Sequence, residues 1–594
     1  MIHPVKSVHN VNNLTVLTID PDLGSTTSVV CACGEPSFPF RDLVCEFEHI
    51  HRSGHKNFAL CRRPVRTNLN IPAWRRLLAG YSDELLCDML EFGFPLDIQG
   101  PIPPTVDFRS HKGARDFPTH VDKYLHGETS RQRMAGPFTG NPLSVDLHYS
   151  PINTVPKDES EERRIIVDLS WPLGESVNDS ISKDTYLGEE MSLRYTTIED
   201  ICNLVMELGP GCLIYKRDLR KAYRQIPIDP ADYRYLGYMW NGLTYIDAAL
   251  VMGQRNAAHG CQRTTNGVMF VQKSKGYRGK SYLDDLIGVG TSDDALAGYN
   301  NMGALLVTLG LEENGPKACP PSCLQTVLGV LFDTVNLTVS VTPERLRELH
   351  GLLHVWSTKK KCTKTELRSL LGKLCSVIKC VRQSRVFINR LLAALRSFPS
   401  QKLMSVSAEL VKDVRWWVLF MEDYNGVSII PPIAWMAPDV VFTTDSTLTG
   451  CGGLTDTEYF HSPFPPQVLA AGHSINGLEI LAVTVAVRLW GGEYVGKKIL
   501  VYCDNVQAVI AINTGKTREP LVGSCARQLW LEVARCGFQL KAVHLPGVDN
   551  RLADSLSRWH LGSQYGTLFP QLTLGASMSE RILEPSYFLI DDFL

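Results

Sequence analysis

Two sets of acidic side chains have the types and spacing that phosphoryl transfer requires. In the first half of the chain, Asp218 follows an apolar run, and the adjacent pair Asp284 and Asp285 stands between the letters SYL and a glycine-rich exit. Neighbouring like charges repel each other, and a site that gathers them usually binds a cation. Carboxylate oxygens are ligands of Mg²⁺, which keeps further positions for phosphate. Two such ions about 4 Å apart activate an attacking oxygen and stabilise a leaving one.

The second set of acids lies in the last third of the chain. Asp445 and Asp504 each end a predicted strand, Glu479 lies early on a predicted helix, and Asp554 opens the last predicted helix. Each of these residues alone is typical of a helix cap or a surface acid. Four acids in the order of neighbouring elements favour instead a second two-metal site.

Hydrophobic periodicity predicts the elements that position the first set. A helix over 194–212, capped by Thr196 or Thr197, precedes the strand that ends at Asp218. The letters YRYLGYMWNGLTYIDAAL alternate as two paired strands around an NG turn. A helix near 254–272 leads into KSYLDDLIGVG, which is predicted to form two short strands with the carboxylates at the tip.

The second set belongs to a separate run of strands and helices. VVFTTDST is predicted to be a strand, and GCGGLTD and TEYFH are its antiparallel partners. NGLEILAVTVAVRLW, VQAVIAINT and PLVGSCARQLWLEVARCG are predicted helices, and KKILVYCD and FQLKAVHLP are predicted strands.

The predicted domain organisation has seven parts. They are an atypical or disordered N-terminal extension (1–65), an N-terminal helical region (66–135), an α+β region that carries the first set of acids (136–340), connecting helices (341–425), a linker (426–438), an α/β domain that carries the second set of acids (439–560) and a C-terminal tail (561–594).

Composition limits the class of protein. The chain has 594 residues and a net charge of −2, so it is not a simple basic nucleic-acid-binding protein. Its 17 cysteines follow no paired CxxC spacing, and no signal peptide is visible. Free thiols in a reducing compartment are expected, and the chain is expected to be cytoplasmic or nuclear and not secreted. No membrane span is expected either, because no run of about 18 uncharged apolar residues occurs.

The segment 343–400 is predicted to be helical and basic. It holds 13 Lys and Arg against 3 Glu and no Asp. This excess of one sign favours a surface that contacts the phosphates of a duplex, while a solvated helix face remains the alternative. The predicted contacts are Lys359, Lys360, Lys361, Lys364 and Arg368.

Ordered motifs in both halves resemble a known family. KRDLRKAY, YLDD and the stretch from Lys317 to Gly329 resemble the palm motifs of reverse transcriptases. TTDST, GLEILAV, YCDN and HLPGVDNRLADSLSR resemble the ribonuclease H domain of retroelements, and the two occur in the order of retrotransposon polyproteins. NIPAWRRLL, the basic helices and the WW pair look most similar to DIRS-type elements, which use a tyrosine recombinase. The resemblance implies an α+β polymerase right hand, with reverse transcriptase fingers and palm over 136–340 and thumb or connection helices over 341–425. It implies that an α/β ribonuclease H-like domain with a mixed five-stranded sheet follows over 439–560.

The resemblance also implies the roles of the acids. Asp218, Asp284 and Asp285 match the residues that hold the two Mg²⁺ or Mn²⁺ ions of the polymerase. The four acids of the second set match the ligands of the two ribonuclease H ions: Asp445, Glu479, Asp504 and Asp554. His544 matches a histidine that aids product release, although a histidine at a strand end is more often structural.

Further residues match the nucleotide pocket of the family. Lys157 and Arg164 match the fingers residues that bind the triphosphate, with Arg163 as the alternative in a shifted register. Tyr223 matches the aromatic residue that excludes a ribose 2′-OH, and its alternative role is core packing. Lys317 matches a lysine that protonates pyrophosphate, and a solvated lysine is the alternative.

One stretch departs from the family pattern. The letters MGQRNAAHG keep Gly253, which helps to shape the nucleotide pocket, and Ala257, but Ala258 stands where the family usually has proline. Alanine adopts the same backbone, so activity is expected to survive.

The implied function is an RNA- and DNA-directed DNA polymerase with ribonuclease H activity. Its implied partners are an RNA template, a DNA primer, an RNA–DNA hybrid, deoxynucleoside triphosphates and a separately encoded tyrosine recombinase. Two alternatives stay open: a gypsy or pararetroviral polymerase fragment, and an inactive, domesticated nucleic-acid-binding protein. Intact acids at all seven metal positions favour an enzyme over the last of these.

Overall fold

The computed structural model describes residues 7–11, 14–18, 29–30, 39–53, 64–102, 105, 109–157, 161–191, 194–398, 403–424, 426–430, 437–573 and 576–590. The chain divides into two compact units, Met1–Cys323 and Leu324–Leu594. Each unit has its own sheets and its own hydrophobic core.

The first unit contains α-helices and several short antiparallel sheets. Its α-helices are Pro39–Ser53, Ile71–Leu77, Leu86–Phe92, Lys112–Asp116, Pro118–Ser130, Ile198–Leu208, Ala257–Ser274 and Ser292–Leu309. Its strands are Ser7–Val11, Leu14–Thr18, Val29–Val30, Met134–Phe138, Ile152–Pro156, Arg163–Val167, Thr185–Tyr186, Glu189–Glu190, Leu213–Asp218, Gly237–Trp240, Leu243–Asp247, Arg278–Tyr282, Asp285–Gly290 and Cys319–Ser322.

The sheet that carries the first acids has four antiparallel strands. Their spatial order is Arg278–Tyr282, Asp285–Gly290, Leu213–Asp218 and Cys319–Ser322. Glycines in the second strand let neighbouring groups approach closely: a Cβ on Gly288 would lie 2.0 Å from the ring of Tyr215. The expected carboxylate hairpin is therefore present, with Leu283 and Asp284 as its two-residue turn.

Local sequence signals in this unit predicted several elements correctly. Thr197 caps the helix Ile198–Leu208 through a reciprocal capping box, and Gly209 ends it. The NG turn is present as well, because Asn241 and Gly242 both have the positive φ that a tight hairpin requires.

The segment before residue 65 was expected to be an atypical or disordered extension, but part of it contributes to the core of the first unit. The helix Pro39–Ser53 packs Phe47, which is 1% exposed, into the first core. Glu48 accepts hydrogen bonds from the backbone N–H and the hydroxyl of Ser144, both at 2.7 Å. Of the cysteines and histidines before residue 62, those at 3, 31, 33, 55 and 61 lie outside the described residues.

The second unit joins a helical part to a six-stranded mixed sheet. Its α-helices are Pro343–Thr358, Lys364–Ile378, Asn389–Arg396, Ala408–Asp423, Pro466–Ala470, Ile475–Trp490, Val506–Thr514, Pro520–Cys536, Arg551–Ser557 and Ser563–Leu572. Its strands are Leu324–Val327, Val330–Asp333, Thr338–Ser340, Lys361–Cys362, Met404–Ser405, Val427–Ile429, Val440–Ser446, Gly450–Leu454, Glu458–Pro463, Lys498–Cys503, Gln539–His544 and Ser579–Glu580.

The boundary between the two units differs from the predicted boundary at residue 340. Three strands within 324–340 form a sheet with Val427–Ile429, so that this segment is tied to chain that follows it. Pairing between strands about 90 residues apart leaves no local signal in the sequence. Residues 431–436 of the predicted linker lie outside the described residues.

The mixed sheet was expected to have five strands, and the structure has six. The sixth, Ser579–Glu580, comes from the predicted tail and pairs in parallel with Glu458–Pro463. Arg581 adds an ion pair to Glu458 at 3.0 Å, and Phe588 is 5% exposed. The described residues at 579–590 therefore pack onto this unit.

One helix in the described part of the chain is long and apolar enough to cross a membrane by length and composition alone. It spans Ile475–Glu493, and 72% of its apolar window is buried inside the second unit. That burial is typical of a core helix.

Candidate active sites

The first acidic site is built on the end of two adjacent antiparallel strands. Asp285 lies directly opposite Asp218 in the strand register. Asp284 stands in the turn before Asp285, and its carbonyl accepts a hydrogen bond from the N–H of Leu219 at 3.0 Å. The pairing therefore brings all three predicted acids to one edge of the sheet.

Asp218 is only 5% exposed and has two polar partners. Asn314 donates its amide N–H to Oδ1 at 2.8 Å, and the ammonium of Lys317 lies 3.1 Å from Oδ2. Both partners come from the turn that precedes the edge strand Cys319–Ser322. Lys317 thus contacts the site to which the sequence assigned it, whereas Asn314 was not predicted.

The electrostatic field couples the three acids. Burial raises the pKa of Asp284, and the charge of Asp218 raises it further, while Lys317 and Arg164 act in the opposite direction. Burial also raises the pKa of Asp285, with Lys216 opposing and the other two acids adding to the increase. A divalent cation would remove this repulsion, and the donors are the hard oxygens that Mg²⁺ prefers.

A basic cavity of about 1040 Å³ adjoins these acids in the first unit. Four of the predicted nucleotide-binding residues line it: Lys157, Arg164, Tyr223 and Lys317. Gly253 does not line the cavity, but its neighbour Met252 does. A cavity of this size with several cations on its wall fits a polyanion such as a triphosphate.

Both arginines of the hairpin Ile152–Pro156 and Arg163–Val167 line the cavity, but they differ in their contacts. Arg163 donates to the hydroxyl of Thr154 at 2.7 Å and lies 3.7 Å from the ring centroid of Phe117. Arg164 is exposed and acts on the charge of Asp284. Lys157 pairs with Glu162 at 2.7 Å across the same hairpin.

Gly253 has a backbone that only glycine tolerates easily. Its φ is +114°, and a Cβ would lie 2.7 Å from the carbonyl oxygen of Val167. Asn178 donates its amide to the carbonyl of Gly253 at 2.8 Å and fixes it there. Ala258 lies in the first turn of the helix Ala257–Ser274, where proline and alanine are both compatible with the backbone.

A buried ion network beneath the cavity was not predicted. Glu128 is 0% exposed and binds Lys221 at 2.9 Å and Arg224 at 3.0 Å. Burial acts to raise the pKa of Glu128, but Arg224 and Lys221 outweigh it and leave that pKa lowered. Arg224 also pairs with the buried Asp247 at 2.6 Å. Glu128 lies 93 positions from Lys221 and 96 positions from Arg224, so only the folded chain reveals the network.

The second acidic site lies at the carboxyl ends of parallel strands. Val440–Ser446 pairs in parallel with Lys498–Cys503, which places Asp445 and Asp504 at the same edge of the sheet. Glu479 comes from the helix Ile475–Trp490 and accepts a hydrogen bond from the N–H of Ser446 at 3.2 Å. The order of strands therefore gathers acids that are distant in the sequence.

Within the described part of the chain, one set of three potential metal donors lies within 4.8 Å of one another. It consists of Glu479, Cys503 and Asp504. The thiol of Cys503 donates to Glu479 Oε2 at 3.7 Å, and burial together with the charge of Glu479 raises the pKa of that thiol. Cys503 was missed in the sequence, where it is simply the residue before Asp504. The three acids of the first site do not form such a set, and Asp445 and Asp554 are not members of the set at the second site.

Burial and mutual repulsion raise the pKa of three acids of the second site. The pKa of Glu479 is raised to about 9 by burial and by the charges of Asp445 and Asp504. The pKa of Asp445 is raised to about 7, mainly by burial, although a hydrogen bond from Ser557 lowers it. Burial and the charge of Asp554 raise the pKa of Asp504.

The outer residues of this site have partners of their own. Asp554 accepts a hydrogen bond from the guanidinium of Arg558 at 2.6 Å. His544 is exposed, and its Nε2 lies 3.1 Å from the carbonyl oxygen of Asp504. The buried Oδ1 of Asn550 accepts no hydrogen bond from any described residue. A hydrated divalent ion fits such a set of oxygens, because it offers positive charge to the acids and water protons to the amide.

The basic helices of the second unit are only partly available to a ligand. Lys359 binds Glu366 at 2.9 Å and so belongs to the cap of the helix Lys364–Ile378. The other four predicted contacts have no carboxylate partner in the described part of the chain: Lys360, Lys361, Lys364 and Arg368. They remain the candidates for phosphate contacts.

No protein-family model and no curated protein matches the chain. Solved structures of foamy virus protease-reverse transcriptase are similar to it. The form called dRH, in complex with double-stranded DNA, has 12% identity and a TM-score of 0.45 over 83% of this chain and 85% of that chain. The complex with an RNA/DNA hybrid has 15% identity and a TM-score of 0.45 over 87% and 65%, and a complex with double-stranded DNA has 12% and 0.43 over 86% and 98%. Sequence identities of 12–15% and TM-scores of 0.43–0.45 carry no functional argument.

Proposed function

We propose that the chain is an RNA- and DNA-directed DNA polymerase with ribonuclease H activity, from a retrotransposon of the DIRS type. One observation carries the proposal: each compact unit gathers acids at the end of a sheet, and the first group adjoins a large cationic cavity. Acids are unfavourable in such positions unless they bind a cation.

The proposed metal ligands are the seven acids, with two Mg²⁺ or Mn²⁺ ions at each site. They are Asp218, Asp284 and Asp285 in the first unit and Asp445, Glu479, Asp504 and Asp554 in the second. When bound, such ions supply activation of the attacking oxygen and stabilisation of the leaving oxygen.

The residues of the cavity would bind and orient the incoming deoxynucleoside triphosphate. Lys157 and Arg164 would hold its phosphates, and the ring of Tyr223 would leave no room for a 2′-OH. Lys317 holds a proton next to Asp218 and would deliver it to the leaving pyrophosphate. His544, at the rim of the second site, would aid release of the cleaved strand.

The proposed substrates are a DNA primer on an RNA or DNA template and an RNA–DNA hybrid. A separately encoded tyrosine recombinase is the proposed further partner for an element of this type. No observation on the described residues favours the domesticated, inactive alternative.

Primer extension on an RNA template tests this proposal. The purified chain should extend a DNA primer with deoxynucleoside triphosphates and Mg²⁺, and should cut the RNA of a hybrid. The Asp218→Asn variant should lose extension, because the carboxylate opposite Asp285 becomes neutral. An intact, folded chain that neither extends the primer nor cuts the hybrid would refute the proposal.

A further inference from the structure

The last helix of the nuclease-like site ends against its first acid. Ser557, the final residue of the helix Arg551–Ser557, is 0% exposed, and its Oγ lies 2.6 Å from Asp445 Oδ2. The same Oγ lies 3.0 Å from the carbonyl oxygen of Asp554. A hydroxyl has one proton to donate, and the oxygen of Asp445 is the nearer acceptor.

The other oxygen of the same carboxylate is held from the start of that helix. Asn550, the residue before the helix, donates its amide to Asp445 Oδ1 at 3.4 Å and to the carbonyl oxygen of Thr444 at 3.0 Å. The two oxygens of Asp445 are therefore fixed from opposite ends of one short helix, and that helix also carries Asp554.

A glycine makes this contact between helix and sheet possible. Gly452 lies directly opposite Asp445 in the strand register. A Cβ at Gly452 would lie 2.4 Å from Leu556 Cβ and 2.7 Å from the backbone nitrogen of Ser557. The end of the helix therefore packs against the strand at Gly452, where the hydroxyl of Ser557 reaches Asp445.

We propose that Ser557 is a positioning residue of the metal site: its hydroxyl fixes the rotamer of Asp445 so that this carboxylate and Asp554 present their free lone pairs to the same cation. The inference rests on the proposed ribonuclease H function, which it deepens by assigning a role to a residue that does not touch the ion. Groups that hydrogen-bond to metal ligands typically contribute a factor of about 10–100 to metal affinity.

The chain supplies a matched control for this proposal two residues away. Ser555 is equally buried and lies in the same helix, but its hydroxyl donates at 2.7 Å to the carbonyl oxygen of Leu552 and not to a carboxylate. Replacing either serine by alanine removes one buried hydroxyl from the same helix. Only the Ser557→Ala variant removes a contact to Asp445.

The test is a titration of the 594-residue chain with Mn²⁺, in which electron paramagnetic resonance measures the concentration of free ion. The Asp445→Asn variant shows how many Mn²⁺ ions bind elsewhere on the chain. The additional Mn²⁺ bound by the wild type is assigned to this site. Ser557→Ala should weaken that binding about tenfold or more, and Ser555→Ala should leave it unchanged. Ser557→Cys, which keeps a weak donor of similar size, should lie between wild type and Ser557→Ala.

Hybrid cleavage supplies the second readout. In Ser557→Ala the Mn²⁺ concentration for half-maximal cleavage should rise by the same factor, and the maximal rate should return at high Mn²⁺. Thermal unfolding of both alanine variants checks that each is folded. Equal Mn²⁺ affinity in Ser557→Ala and Ser555→Ala would overturn the proposal, and so would equal Mn²⁺ binding by the wild type and Asp445→Asn. If the wild type binds Mn²⁺ here and Ser557→Ala weakens it, but no hybrid is cut, the positioning role stands and the proposed nuclease activity fails.

Discussion

Asp285 lies directly opposite Asp218 on neighbouring antiparallel strands, so that two carboxylates face each other across a strand pair. Like charges in that position destabilise a sheet, typically by about 0.2–1 kcal/mol. The fold tolerates this cost at the edge of a basic cavity, where an anionic ligand and its cations would bind. The relationship therefore links the stability of the first unit to its proposed chemistry.

The first prediction is that Asp285→Asn has opposite effects on the stability of the fold and on DNA synthesis. Asp285→Asn should raise the free energy of unfolding by up to about 1 kcal/mol at neutral pH, because it removes the like-charge pair. It should also abolish primer extension. The pKa of Asp285 is raised in the folded chain, so its ionisation costs stability only above its unfolded pKa. The increase in the free energy of unfolding of Asp285→Asn over the wild type should therefore vanish below about pH 4 and grow as the pH rises. Denaturant unfolding at several pH values measures it, and a variant less stable than the wild type at neutral pH would contradict it.

The second prediction concerns Glu479. Its pKa is raised from 4.5 to about 9, so the folded chain keeps the proton that the unfolded chain releases. The wild type should then lose stability relative to Glu479→Gln as the pH rises through this range, by up to about 1.4 kcal/mol per pH unit. Added Mg²⁺ should reduce this difference by favouring the carboxylate, while the variant should not cleave a hybrid. Parallel curves for the two proteins from pH 5 to pH 8 would show that Glu479 is not held in its protonated form.

Tyr223 gives a prediction about substrate choice. Its ring lines the cavity close to Asp284. Tyr223→Ala should allow the chain to incorporate ribonucleotides, because it opens space at the sugar. Tyr223→Phe is the matched control and should still reject them, since it keeps the ring and loses only the hydroxyl. Competition between ribo- and deoxynucleotides in primer extension measures the ratio, and equal ratios in the two variants would place the selection elsewhere.

Three lysines of the second unit give a prediction about salt. Lys360, Lys361 and Lys364 have no acidic partner in the described part of the chain, and changing all three to Glu should weaken binding to every primer–template alike. The slope of log affinity against log salt should fall by about one unit for each lost phosphate contact. Lys359→Gln is the control, because Lys359 pairs with Glu366 and should affect stability more than the slope. An unchanged slope in the triple variant would mean that these lysines only solvate the surface.

Several elements of the first unit were predictable from the sequence because their signals are local. The capping box at Thr197 and the turn at Asn241 and Gly242 follow from a few adjacent residues. The helix Pro39–Ser53 also had a local signal that was missed, since Leu43, Phe47 and Ile50 are spaced to face one side.

The residues that orient the acids were not predictable. Ser557 lies 112 positions from Asp445, and Asn314 lies 96 positions from Asp218. Such pairs meet only after the sheets have formed, and a serine or asparagine in a helix or turn has many ordinary uses. The two-residue strand Ser579–Glu580 is likewise too short to leave a periodic pattern.

The central claim is that two metal-dependent sites, one in each compact unit, carry two separate reactions. The most direct measurement is a single assay in which the RNA template and the DNA primer carry different labels. Synthesis and RNA cleavage are then followed together. Asp284→Asn should abolish extension and leave cleavage largely intact, whereas Asp445→Asn should do the reverse. If either variant, still folded, lost both reactions or neither, the division of labour between the two sites would be contradicted.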